Sequence, residues 1–88
     1  MHALVVHANI TDLSGAKRAL DEQVLPMMRA APGFVGAYFV ALDDTHGVSV
    51  RVFETEEEAR AAAPPPVGTD AFGVSVDAVQ FGEVISST

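Results

Sequence analysis

No cysteine and no tryptophan occur in this sequence, and basic residues are scarce: five lysines and arginines stand against twelve aspartates and glutamates. Each shortage excludes something. Without cysteine, neither a disulfide framework nor a thiolate zinc site can be built. A formal charge of −7 leaves no basic stripe for phosphates, so no nucleic-acid partner is expected. No apolar run approaches the ~20 residues needed to span a bilayer, so no membrane partner is expected either. The start MHALVVHANI lacks the cationic region and long apolar run of a signal peptide, and the expected location is the cytoplasm. Arginine in preference to lysine, with abundant alanine, associates the chain with a GC-rich bacterial genome.

What is present is apolar material. Hydrophobic residues make up 49% of the chain and charged residues only 19%, the balance of a folded protein. The 88 residues predict one domain, 1–88, that buries roughly 60–65% of its unfolded surface. Its core is thin for so much apolar surface, and the question is where the remainder goes.

Ala3 to Ile10 is apolar except for His7 and Asn9, and reads as a largely buried strand. Thr11 or Asp12 offers an N-cap. Leu13, Ala16, Leu20, Val24, Met27 and Met28 then recur at helical spacing, which predicts an amphipathic helix ending near Ala31 and kinked at Pro26. Phe34 to Leu42 is a strand with no charge on either parity, and Asp43-Asp44-Thr45-His46-Gly47 connects it to a return strand, Val48 to Glu54. Asp43, Asp44 and His46 are read as turn chemistry, with no metal site.

Thr55 and Glu58 form a T-x-x-E capping box, and Glu56, Glu57 and Glu58 suit a helix N-terminus. That short helix runs to about Ala63, where Pro64-Pro65-Pro66 imposes an extended exit. Val67 to Gly73 is a loop, and Val74 to about Ile85 a last strand with a break or bulge expected at Gly82.

The order β-α-β-β-α-β predicts an α+β, ferredoxin-like βαββαβ domain: a four-stranded antiparallel sheet with two helices on one face. The first and third strands are expected at its centre. Both parities of Phe34 to Leu42 are apolar, yet helices cover one face only. A homodimer with two sheets packed face to face is therefore expected, with higher assembly through the edge strand Phe34 to Leu42 left open. The alternative is a monomer exposing Val35, Ala37 and Phe39.

The element order, with LPMMRAAPGFVGAYFV and VSVRVFETEEEARAAA, resembles the dimeric α/β-barrel superfamily, and within it the small domains similar to antibiotic-biosynthesis monooxygenases. The resemblance spans Ala3 to Ile85. It implies a ligand site between helices and sheet and oxygen chemistry without a cofactor, on a polycyclic phenol that itself activates oxygen. Asn9 is placed like the asparagine of haem-degrading relatives, but their Asn/Trp/His set is incomplete here.

His7 and Asn9 share a side of the first strand, while Ser49 and Arg51, and Ser75 and Asp77, form the polar parities of the third and fourth strands. If these parities share a face, the six residues converge on one patch. His7, Asn9 and Arg51 are the candidate catalytic residues, with His7 a general base or a guide for a phenolate-like anion. Met27, Met28, Tyr38, Ser49 and Asp77 are the candidate substrate contacts. Tyr38, the sole tyrosine, is read as packing and not as a catalytic acid. No cofactor and no metal is expected. One reading is thus an enzyme acting on a small apolar or aromatic molecule. The other is a non-catalytic ligand-binding or dimerisation module, in which Arg51 pairs with Asp77 and the patch is structural.

Overall fold

The computed structural model describes residues 1–62, 67–68, 70–71 and 73–88. The exit expected at Pro64-Pro65-Pro66 and the helix end at Ala63 lie outside the described residues. The elements are β1 His2–Ile10, α1 Leu13–Ala19, a π-helical turn Leu20–Val24, α2 Leu25–Arg29, β2 Phe34–Ala41, β3 His46–Phe53, α3 Glu56–Ala61, β4 Asp70–Ala71 and β5 Val74–Glu83. The strands form an antiparallel sheet in the order β2-β3-β1-β5-β4, in which β4 has only two residues. Four long strands and two helical regions make an α+β arrangement compatible with a ferredoxin-like fold.

Helix starts follow the sequence. The Asp12 carboxylate accepts from the Gly15 amide at 3.0 Å and caps α1. The Thr11 and Asp12 amides donate to the Gly73 carbonyl at 2.8 and 3.1 Å, which ties this end of α1 to the start of β5. Gly73 has φ +77°, and a Cβ there would lie 2.6 Å from the Asp12 carbonyl oxygen, so only glycine permits this approach. At α3, the Thr55 hydroxyl accepts from the Glu58 amide at 3.1 Å and donates to the Glu58 carboxylate at 3.0 Å. Such a cap contributes about 1 kcal/mol.

A π turn at Leu20–Val24 precedes Pro26. Leu25 keeps helical angles (φ −62°, ψ −45°) although it precedes proline, and its amide donates to the Leu20 carbonyl, five residues back. The ladder absorbs the missing Pro26 N–H by moving its acceptors along one residue, so the helix passes the proline.

Two irregularities decide which side chains face the helices. The β2–β3 register shifts between Phe34 and Gly36, so Phe34, Ala37, Phe39 and Ala41 pair with Phe53, Arg51, Ser49 and Gly47 on the helix side. Val35, Tyr38 and Val40 are left on the open side, and the alternative of a patch formed by Val35, Ala37 and Phe39 fails because Ala37 and Phe39 face the helices. The second shift separates His7↔Ala78 from Ala8↔Val76, which makes Asp77 the surplus residue. Gly82, where the break was expected, pairs regularly with Ala3.

The core lies between the helix side of the sheet and the helices. Leu4, Val6 and Val76 pack together with Val79 and Phe81, while Ala16, Ala19, Val24, Met28 and Ala59 are buried from the helices. Leu4 and Phe53 are fully buried, and Phe53 meets Phe34 edge to face at 5.8 Å.

Candidate functional site

Cross-strand pairing groups the predicted site residues into two sets. Residues paired across neighbouring strands share a face of the sheet. Arg51 pairs with Leu4, and Ser49 with Val6, so both polar side chains of β3 lie on the buried helix side. His7 pairs with Val48 and Ala78, and Asn9 with Ser75, on the opposite, open side. The patch of His7, Asn9, Ser49, Arg51, Ser75 and Asp77 is therefore not assembled. Nor is the Arg51–Asp77 pair. The Asp77 Oδ1 accepts instead from the Asn9 side-chain Nδ2 at 3.0 Å, which fastens the irregular part of β5 to β1.

On the helix side, a cavity of about 550 Å³ lies between α1, the π turn and α2 above and β1, β2, β3 and β5 below. Its wall is aliphatic and aromatic: Val6, Leu13, Leu20, Val24, Phe39 and Val76 are typical. Met28 is buried in that wall, whereas Met27 is 64% exposed at its rim. Ser49 and Arg51 also line it. His7, Asn9, Tyr38 and Asp77 do not.

Arg51 and Ser49 are the chemically distinctive members of this wall. The Arg51 guanidinium stacks over the Phe39 ring at 5.2 Å. Burial pushes its pKa down from the usual arginine value, and the group remains cationic. The Arg51 Nε and the Ser49 Oγ are both buried and have no hydrogen-bond partner among the described residues. Ser49 is only 5% exposed. Unsatisfied buried donors cost about 1–3 kcal/mol each, so two of them beside a cavity form an unusual concentration of unused bonding capacity.

Sequence reasoning missed Lys17 and Phe39. Lys17 is exposed on α1, between apolar positions, and borders the cavity. Its spacing carried the signal, because it lies four residues after Leu13 and three before Leu20. Phe39 was placed by parity on the uncovered face, which the shift at Val35 reversed.

The open side is mainly apolar. Tyr38 (77% exposed), Val40, Val50 and Val35 are presented there, and Val5, Val48 and Val52 lie among them half-buried. Rows run straight across the strands: Tyr38–Val50–Val5–Gln80, and next to it Val40–Val48–His7–Ala78.

The hairpin between β2 and β3 is turn chemistry. The Asp43 Oδ1 accepts from the Thr45 amide at 2.8 Å, the Thr45 hydroxyl at 3.0 Å and the His46 amide at 2.8 Å, and meets His46 Nδ1 at 3.0 Å. These bonds, the Thr45 amide foremost, hold the carboxyl down to about 2. Among the described residues no group of three acidic or histidine side chains is arranged to hold a metal ion. With a folded pKa below the unfolded value, the turn's ionic contribution is complete above the ordinary carboxylate range and is lost as pH falls through about 2. An NMR titration should give the Asp43 carboxyl carbon a midpoint near about 2. A midpoint at the ordinary aspartate value would mean that the turn does not persist in solution.

Among the described residues no helix is long and apolar enough to cross a membrane. Comparisons with protein-family models, with curated proteins and with solved structures find no match for this chain. The functional reading therefore rests on geometry.

Proposed function

We propose that this protein is a homodimer of the α/β-barrel kind, with each copy binding a small apolar or aromatic molecule between its helices and its sheet. The cavity carries the reading. Ligand sites are commonly preformed clefts of about 300–1,000 Å³ with apolar walls and a few polar groups. A space of about 550 Å³ with Arg51 and Ser49 in its wall has that composition. The open face supports the dimer, because its exposed rows of valine with Tyr38 are the kind of surface that two-fold pairing covers.

Turnover of the ligand by a cofactor-independent, monooxygenase-like reaction would draw on Arg51 in this wall, because His7 and Asn9 are on the far side of the sheet. The competing reading, a non-catalytic ligand-binding or dimerisation module, gains from the Asn9–Asp77 bond, which gives two candidate site residues a structural task.

A titration with the neutral dye N-phenylnaphthylamine tests the cavity. The dye should brighten saturably at one site per subunit, and Leu20→Trp, which puts an indole into the cavity from the π turn, should weaken it by at least about tenfold. Unchanged binding in Leu20→Trp would transfer the dye to the open face and end this reading of the cavity.

A further inference from the structure

We infer that the cavity selects organic anions: its occupant is an apolar molecule bearing one carboxylate-type or phenolate-type group, received by Arg51 and Ser49 inside and by Lys17 at the edge. The inference rests on the cavity being a ligand site and names the charge of the ligand.

The distribution of charge carries it. The chain has twelve acidic residues and five basic ones, so a wall drawn at random from its charged residues would be acidic. The charged residues lining the cavity are Lys17 and Arg51, and no acidic residue is among the lining residues described. Two of the five cations therefore face one space, and none of the described acidic residues lines it.

The bonding state of these groups points the same way. Arg51 makes no ion pair among the described residues, whereas Arg60, which also stacks on a ring, pairs with Glu56 at 3.0 Å. A guanidinium in an apolar wall is costly unless a partner neutralises it. The Nε–H and one terminal N–H of arginine form a fork that fits two oxygens of one anion. Ser49, two residues along the same face of β3, supplies a hydroxyl that is also without a partner among the described residues. A neutral hydrocarbon would fill the cavity and leave these donors unanswered. An amine would meet two like charges.

Two dyes of similar shape test this directly: anilinonaphthalene sulfonate, an apolar anion, and the neutral N-phenylnaphthylamine. On the wild-type protein the anion should bind at least about tenfold more tightly, the return expected from a charge-assisted bond at a desolvated site. Arg51→Met should abolish that preference while keeping the neutral dye. Lys17→Gln, at an exposed helical position that leaves the core untouched, should reduce the preference by a smaller factor of about two to five, as expected of a rim charge. Equal affinities in the wild type, or a ratio unchanged by Arg51→Met, would overturn the inference while leaving the cavity a ligand site. Failure of both dyes to bind would overturn the ligand site and the anion preference together.

Discussion

A chain carrying Tyr38→Arg and Val50→Arg is expected to sediment as a monomer, and the wild-type protein at the same concentration is expected to sediment as a dimer. Tyr38 and Val50 are cross-strand partners on the open face, and Val5 continues their row on β1. In a two-fold interface each substitution occurs twice, so four guanidinium groups would enter a surface that offers mainly aliphatic contacts. Burial of unpaired charge costs several kcal/mol, and each 1.4 kcal/mol is about tenfold, so the dimer dissociation constant should rise by more than about a thousandfold. The cavity lies on the opposite side of the sheet, and N-phenylnaphthylamine binding should survive. A wild-type protein that is monomeric at high micromolar concentration, or a double variant that still dimerises, would remove the open face as the interface.

Neighbouring residues on the helix side of β3 should give opposite results on unfolding. Phe53→Ala is expected to cost about 3–5 kcal/mol, because the ring is fully buried, packs edge to face on Phe34 and leaves a cavity that the sheet cannot collapse to fill. That is a large share of the roughly 5–15 kcal/mol available to a small domain. Arg51→Met removes a buried donor that has no partner among the described residues, and its charge, while preserving most of the side-chain volume. The loss of stacking on Phe39 offsets part of the gain, and a net stabilisation of about 1 kcal/mol is expected. Urea unfolding at one protein concentration measures both, with the slope unchanged for Arg51→Met. A destabilised Arg51→Met would mean that the guanidinium holds the fold together, and would weigh against its being kept for a ligand.

The order of the four long strands and the helices, the cap of α3 and the polar hairpin were legible in the sequence, because each depends on neighbours within a few residues; the two-residue β4, inside the expected loop Val67 to Gly73, was not. Thr55 and Glu58, or Asp12 and Gly15, need no distant information to find each other. The site was legible only in part. Alternation along a strand divides its residues into two sets, but which set faces the helices is decided by pairing with other strands. In β3 the usual guide was inverted: the valines 48, 50 and 52 face the open side, while Gly47, Ser49 and Arg51 face the helices. Polar residues on a buried face are a departure from local rules of the kind found where a protein binds something. The surplus residues at Val35 and Asp77 added further shifts that no alternation could disclose.

The π turn at Leu20–Val24 sets the rotational phase of everything after it. One surplus residue turns the downstream helix by about 100° relative to continuous α winding. Wound as a plain α-helix from Leu13, the chain would carry Met28 away from the stripe of Leu13, Ala16 and Leu20 and bring Met27 into it. With the phase set back, Val24 and Met28 are buried and Met27 is turned out to the rim. The proline that obstructs a regular helix thus goes with the winding that decides which of two adjacent methionines forms the cavity wall and which guards its mouth.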